Sequence, residues 1–178
     1  MKQKIIHTAL KICEKDGYES FSMRKLATKL ALDPMAIYHY FENKDALTMA
    51  MVEQIFQRFE KEISITDKNP KSNLKRILVE YWKLFIEYPG MSLYLIKNSY
   101  DSFPSVISLN QTLQTLLEKI YPAADDKKML NILIDFIHGN ALSSLSLGKE
   151  KIKEITIRSN QRELEFSLSY ILDLFSKP

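Results

Sequence analysis

The sequence predicts an all-α protein with a small N-terminal three-helix domain and a larger C-terminal helical domain. The 178 residues contain only four Gly and six Pro, and 46% of them are hydrophobic, which suits a folded core. Long stretches repeat apolar side chains with the 3.6-residue period of a helix. We expect the two domains to divide into residues 1–47 and 48–178, with one helix over residues 44–63 connecting them.

The first predicted helix runs from Lys2 to Lys15 and stops at Asp16-Gly17. Residues 22–44, SMRKLATKLALDPMAIYHYFENK, follow as a helix-turn-helix pattern. The apolar positions that close such a pair share inward faces, and they are Leu26, Ala27, Leu30, Leu32, Ile37 and Tyr40. Two helices joined by a short turn form a DNA-binding supersecondary unit.

Residues that cap helices mark the ends of this pair. Ser22 is expected to cap the first helix, Asp33 followed by Pro34 to open the second, and Asn43 to cap the connecting helix. Ala31 stands at the turn, where a left-handed backbone usually requires Gly. A left-handed Ala31 would cost roughly 1 kcal/mol.

The rest of the chain reads as five further helices. A strong apolar stripe from Leu74 to Tyr88 ends at Pro89-Gly90, and a short helix over 91–97 follows. Ser102-Phe103-Pro104 opens the next helix, which Tyr121-Pro122 closes. A long helix is expected from Asp125 or Asp126 to Gly148, and the last helix fills most of residues 152–175.

The last helix is apolar on two sides, which predicts two covering surfaces. One stripe comprises Leu164, Leu168, Ile171 and Phe175, and the other comprises Phe166, Tyr170 and Leu174. The preceding helix carries small residues that allow close helix approach, namely Gly139, Ala141, Ser143 and Ser144. We expect a homodimer with a two-fold four-helix interface, and the alternative is a larger core within one chain.

Residues 5–56 resemble the N-terminal domain of TetR-type transcriptional regulators. The resemblance rests on IIHTALKICEKDGY (5–18), SMRKLATKLAL (22–32) and IYHYFENKDAL (37–47). LIDFIHGNALSSLSLG (133–148) and ELEFSLSYILDLF (163–175) are similar, with weaker specificity, to the two dimer-forming helices of that family. The resemblance implies a homodimer that binds a two-fold-symmetric operator in double-stranded DNA.

The resemblance also suggests which side chains meet DNA. It implies phosphate contacts for Tyr38, His39 and Lys44, and it puts Pro34, Met35 and Ala36 at base-facing positions. Those three offer apolar surface that suits thymine methyl groups. Arg24 is the best candidate for a guanine contact, and a phosphate contact is nearly as well supported. Tyr40 is as well explained by packing as by a DNA contact.

Aromatic side chains in the second domain suggest an apolar effector pocket, and for any single one the alternative is ordinary core. They are Tyr81, Trp82, Phe85, Tyr88, Tyr94 and Phe103. Trp82 lies at the edge of the apolar stripe of its helix. Asn131, Asp135 and His138 share one side of the long helix and are candidate polar contacts to the effector, which we expect to be a small, largely apolar or aromatic molecule.

Other classes of function receive little support. The three histidines are scattered without metal-ligand spacing, the single cysteine lies on an inward face, and no glycine-rich phosphate loop occurs. We therefore expect no catalysis, no metal and no cofactor. The sequence contains no apolar run of 18 residues, so no membrane span is predicted. It shows no secretory signal either, and a cytoplasmic location is therefore expected.

The charge balance alone would not indicate nucleic-acid binding. Residues 1–47 contain eight Lys or Arg and six Asp or Glu, and the whole chain carries +3. The main prediction is a regulator, typically a repressor, that leaves its operator when the effector binds. Two alternatives remain open: a similar DNA binder without a small-molecule input, and a helical ligand-binding or enzymatic bundle that does not bind DNA.

Overall fold

The computed structural model describes residues 1–66, 68–98, 100–122, 126–146 and 154–176. This described part holds nine α-helices and two 3₁₀ turns, at Tyr18–Ser20 and Tyr100–Ser102, and no strand, so the all-α prediction is confirmed. The helices are α1 Lys2–Asp16, α2 Met23–Leu30, α3 Pro34–Tyr38, α4 Lys44–Glu62, α5 Pro70–Glu87, α6 Pro89–Lys97, α7 Pro104–Ile120, α8 Asp126–Ser146 and α9 Glu154–Leu174. The predicted helix boundaries at Asp125 and Gly148 lie outside the described residues.

The chain forms two compact units. Unit 1 comprises Met1–Glu62 and Glu87–Ser108, and unit 2 comprises Ile63–Ile86 and Leu109–Pro178. Unit 1 therefore contains α1 to α4 together with α6. The functional division expected at residues 47 and 48 stays a prediction.

The core of unit 1 forms where the first four helices meet. Side chains from each helix are almost fully buried there, namely Ile5, Ala9, Leu26, Ala27, Ile37, Leu47 and Met51. Each lies on the apolar face that the helical period predicts. Burial of this face holds the short α3, which is too short to be stable alone.

The helix ends in unit 1 have the capping bonds that the sequence predicts. The backbone N–H of Lys25 donates to Ser22 Oγ at 3.2 Å, that of Met35 to Asp33 Oδ1 at 2.7 Å, and that of Ala46 to Asn43 Oδ1 at 2.8 Å. These bonds satisfy backbone donors that a helix leaves unpaired at its N-terminus.

Ala31 adopts the predicted left-handed conformation, with φ 54° and ψ 43°. Its N–H donates to Thr28 O at 3.2 Å, and the N–H of Leu32 donates to Ala27 O at 3.0 Å. This pair of bonds is a Schellman C-cap, which turns the chain sharply between α2 and α3. The departure from Gly at this position leaves the turn intact.

The expected core position of Tyr40 is wrong. Its side chain is exposed, and Phe41 is buried instead. The reason is that α3 ends at Tyr38, so the chain leaves the helical period before residue 40. The N–H groups of Tyr40 and Phe41 both donate to Ile37 O, and this tight turn directs Phe41 inward.

Helix α6 packs against the 3₁₀ turn after α1 and against α4 within unit 1. A Cβ atom added at Gly90 would lie 2.2 Å from Tyr18 Cβ, so the backbone of α6 approaches this tyrosine more closely than any larger residue allows. Tyr94 Oη donates to Asp45 Oδ1 at 2.8 Å and joins α6 to the first turn of α4.

Unit 2 is a helical bundle built from most of α5, most of α7, and α8 and α9. Its core consists of large aliphatic side chains from all four helices, namely Leu74, Leu78, Leu113, Leu117, Leu133, Ile137, Leu164 and Leu168. No helix in the described residues is long and apolar enough to cross a membrane.

The two apolar sides of α9 have different surroundings in unit 2. Leu164, Leu168 and Leu172 are fully buried, so Leu172 completes the inner stripe that we expected Ile171 and Phe175 to complete. Leu172 follows Leu168 by four residues and therefore stays on the same face. Phe166, Tyr170 and Leu174 are exposed within the protomer, and the last helix therefore leaves its second apolar side uncovered.

Candidate nucleic-acid interface

The helix pair α2–α3 presents the predicted base-facing residues on its surface. Pro34 and Met35 are exposed, with 65% of Met35 accessible, and Ala36 is half-buried. Ile37 is fully buried and anchors this five-residue helix in the core of unit 1. Arg24 lies exposed on α2. The surface therefore offers apolar contacts from α3 and a guanidinium donor from α2.

Tyr38 and His39 are exposed at the C-terminal end of α3, as phosphate contacts require. The N–H of His39 donates to Met35 O at 3.2 Å, which keeps this last turn closed. Since the Asp33 cap fixes the other end of α3, both ends of the short helix are held. The backbone of α3 therefore has a fixed conformation, which fixes the positions of its side chains.

Lys44 is half-buried at the start of α4, where aromatic rings hold its ammonium group. Nζ lies 4.5 Å from the centroid of the Tyr18 ring and 5.4 Å from that of Phe21. Tyr18 Oη lies 3.1 Å from Thr48 Oγ1, one turn further along α4. Tyr18, Phe21 and Thr48 were not predicted as parts of the interface. The Gly17-Tyr18 pair at the end of the segment 5–18 was the sequence signal that could have indicated Tyr18.

The aromatic and polar residues proposed for an effector pocket fall into two groups, one in each unit. In unit 2, Tyr81 Oη lies 2.9 Å from His138 Nε2, and the Phe85 ring stacks on the His138 ring with centroids 4.5 Å apart. Burial lowers the pKa of His138 to about 4, so this imidazole is neutral near pH 7. These three side chains form one buried cluster.

Trp82 is fully buried, which differs from the expected position at the edge of its helix's stripe. Its indole N–H has no hydrogen-bond partner among the described residues. Asn131 and Asp135 lie on the same helix as His138 but are exposed, so of the three only His138 belongs to the buried cluster.

The other predicted effector residues, Tyr88, Tyr94 and Phe103, belong to unit 1. Tyr88 Oη donates to Glu14 Oε1 at 3.0 Å, and the Tyr94 and Phe103 rings meet edge to face with centroids 6.4 Å apart. Burial, followed by the hydrogen bonds to carboxylates, raises the pKa of both tyrosines. Tyr88 is thus joined to α1, whereas Tyr94 is joined to Phe103 and to α4.

No cluster of three or more His, Cys, Asp or Glu that could hold a metal ion occurs in the part of the chain that the structure describes. Cys13 is buried, and this burial raises its thiol pKa to about 11, which disfavours the reactive thiolate. The described surface instead presents the exposed helix pair α2–α3, with the cationic side chains of Arg24 and Lys44 beside it. This arrangement suits binding to another molecule.

A helix-turn-helix with this surface defines a class of DNA-binding protein, and comparison with known proteins shows which family its N-terminal region resembles. Residues 5–51 match the sequence model described as "Bacterial regulatory proteins, tetR family". Its N-terminal region is therefore similar to the DNA-binding domain of TetR-type transcriptional regulators. The predicted resemblance is therefore confirmed.

Individual relatives are distant. An uncharacterised HTH-type transcriptional regulator in the dhlA 5′ region of Xanthobacter autotrophicus is 22% identical over 174 residues, covering 82% of this chain and 80% of that protein. The HTH-type transcriptional repressor NicS of Pseudomonas putida is 22% identical over 91 residues, covering 49% of this chain and 43% of NicS.

Among solved structures, a TetR variant from Acinetobacter baumannii AYE in complex with minocycline matches with a TM-score of 0.79 at 18% identity. The match covers 99% of this chain and 96% of the other. At this identity the likeness concerns the fold, and it extends over both units rather than over the helix-turn-helix alone.

Proposed function

We propose that this protein is a homodimeric repressor that binds a two-fold-symmetric operator and leaves it when a small, largely apolar or aromatic effector binds. The observation that carries the proposal is the exposure of Met35, Tyr38 and His39 on a short helix whose Ile37 is fully buried. These side chains lie on the second helix of a helix-turn-helix, which is the helix that contacts base edges in such proteins. The major groove of DNA accepts such a helix.

Selection of bound sequences from random duplex DNA tests the DNA-binding part directly. We expect enrichment of one two-fold-symmetric site whose half-sites are centred about one helical turn apart, roughly 34–36 Å. Affinity should fall steeply with salt, because phosphate contacts release counterions. Failure to enrich any sequence would contradict the proposal.

Arg24 provides a sharper test of how the operator is read. If its guanidinium contacts a guanine, Arg24→Ala should relax base preference at one position of each half-site and cost about 1–3 kcal/mol of binding free energy. Competition titrations against operator duplexes with single base changes measure this. Uniform weakening over all those duplexes would instead assign Arg24 to a phosphate.

The dimer proposal is supported by the outer face of α9. Phe166 and Tyr170 are 76% and 60% exposed, and Ile132 on the adjacent α8 is 51% exposed. A Cβ added at Gly139 on α8 would meet no atom within 4 Å, so this helix has open space where a second copy could approach. Apolar side chains concentrated on two neighbouring helices are typical of a self-association surface.

Sedimentation equilibrium at micromolar concentration tests the dimer. We expect the wild-type protein to sediment as a dimer and Phe166→Glu to sediment as a monomer with its helical circular dichroism unchanged. Ile107→Glu is the matched control, since Ile107 is a partly exposed aliphatic residue of unit 1. A wild-type monomer would overturn this part of the proposal.

The effector proposal is supported by the buried Tyr81–Phe85–His138 cluster and by the unpartnered Trp82 indole N–H. A buried donor without a partner costs about 1–3 kcal/mol, and an acceptor atom on a ligand would recover that free energy.

A second candidate function is a TetR-family DNA binder without a small-molecule input. It is favoured by the closed packing of the same aromatic side chains.

A ligand screen separates these two candidates. Compounds that release the selected operator duplex are identified by fluorescence anisotropy, and DNA and effector must weaken each other's binding by the same factor. In the proposed mechanism the effector favours a packing in which α4 changes direction and the two DNA-binding heads no longer match the operator. A compound that binds at saturation without changing operator affinity is not the effector.

A further inference from the structure

A lysine-lined groove runs along unit 1 between α1 and α2, outside the proposed recognition surface. It has a volume of about 800 Å³ and is floored by the buried side chain of Ile12. Four lysines line it, two from each helix, together with two threonines and two acids. The basic residues are Lys11, Lys15, Lys25 and Lys29, the threonines are Thr8 and Thr28, and the acids are Glu14 and Asp16.

The charge of this groove is only partly neutralised. Lys25 Nζ pairs with Asp16 Oδ2 at 2.7 Å, and that hydrogen bond lowers the pKa of the Asp16 carboxyl. Glu14 accepts a hydrogen bond from Tyr88 Oη at 3.0 Å. Of the four lysines, only Lys25 has an ion pair within the residues that the structure describes. The groove therefore carries excess positive charge.

The lysines are arranged in two rows. Lys11 and Lys15 are four residues apart on α1, and Lys25 and Lys29 are four residues apart on α2. Four residues of helix correspond to about 6 Å of rise, so each row presents two cations along the groove. Each strand of duplex DNA carries one phosphate per 3.4 Å of helix axis, so the two cations of a row span roughly two phosphates.

The position of the groove beside α2 favours DNA as the polyanion. In helix-turn-helix proteins the first helix of the pair crosses the sugar-phosphate backbone while the second enters the major groove. Lys25 and Lys29 lie on that first helix, next to Arg24 and Thr28 around its exposed face. A backbone strand that passes α2 would thus meet the groove wall formed by α1.

We propose that the α1–α2 groove binds the phosphodiester backbone of operator DNA, with Lys11 and Lys29 as contacts that extend the interface beyond the helix-turn-helix. The inference rests on the proposed DNA-binding function. These contacts add affinity and salt dependence without adding sequence preference, because a phosphate carries no base identity. These phosphate contacts also explain how an N-terminal domain with little net charge could bind DNA.

The test is a salt titration of operator binding by fluorescence anisotropy, using the duplex selected by the wild-type protein. Each lost phosphate contact should reduce the slope of log K against log salt by about 0.9. Lys11→Gln/Lys29→Gln removes two contacts per protomer, so a bound dimer should show a slope shallower by about 3–4. Base preferences should be unchanged, and Lys11→Arg/Lys29→Arg should retain the wild-type slope.

Lys61→Gln/Lys127→Gln is the matched control, because it removes the same formal charge from two exposed lysines elsewhere. A second variant, Asp16→Asn, frees Lys25 and should make the slope steeper. If Lys11→Gln/Lys29→Gln behaves like the control, the groove does not bind DNA. Failure of the wild-type protein to select any duplex would instead contradict the proposed function.

Discussion

Ala31→Gly isolates the free energy stored in the turn between α2 and α3. Ala31 is exposed and has a left-handed backbone, so the substitution changes backbone strain without opening a cavity. An L-residue in this region costs roughly 1–2 kcal/mol relative to Gly. Gly in turn lowers stability by about 0.4–1 kcal/mol, because it increases the conformational entropy of the unfolded chain.

The difference between these effects predicts that Ala31→Gly stabilises the fold by about 0.5–1 kcal/mol. For a chain of this size the gain corresponds to a rise in Tm of about 2 °C. The assay is equilibrium unfolding in urea, monitored by circular dichroism at fixed protein concentration, since a dimer makes the midpoint concentration-dependent.

Ala50→Gly is the matched control for this prediction. Ala50 lies inside α4, where glycine costs about 1 kcal/mol relative to alanine. The same chemical change should therefore shift the unfolding midpoint in opposite directions at positions 31 and 50. A loss of stability from Ala31→Gly would refute the argument that backbone strain dominates at this turn.

Two further perturbations test packing and protonation. Gly90→Ala brings a Cβ to 2.2 Å from Tyr18 Cβ, so α6 must shift, and urea unfolding should show a loss of about 1–3 kcal/mol; unchanged stability would contradict the close approach. The pKa of His138 is about 4 in the folded protein, below its unfolded value near 6.5. The folded state thus binds fewer protons between these values, and stability should fall as pH drops from about 6.5 to 4. His138→Gln should lose that part of the pH dependence, and an identical pH profile for the variant would contradict the assignment.

The helix ends near the DNA-binding surface could be predicted because their chemistry is local. Ser22, Asp33 and Asn43 each cap a backbone N–H two or three residues away, so the short sequence segment contains both partners of each bond. The left-handed Ala31 was predictable for the same reason. The family resemblance then added the positions of the phosphate and base contacts, which stay predictions.

Features that depend on distant parts of the chain could not be predicted in this way. Tyr94 bonds to Asp45 across 49 residues, and Tyr88 bonds to Glu14 across 74 residues. The helical period of the sequence identifies both tyrosines only as apolar helix positions. It does not indicate that their hydroxyl groups bond to helices of unit 1. The burial of Phe41 instead of Tyr40 has a local cause, because α3 ends at Tyr38 and the tight turn after it directs Phe41 inward.

The central claim is that two copies of this chain present two recognition helices to one operator. Hydroxyl-radical footprinting of the wild-type protein on its selected duplex tests this claim most directly. We predict two symmetric protected regions on one face of the duplex, centred about 34–36 Å apart and protected together over one range of protein concentration. A single protected region, or two regions that fill independently, would contradict it.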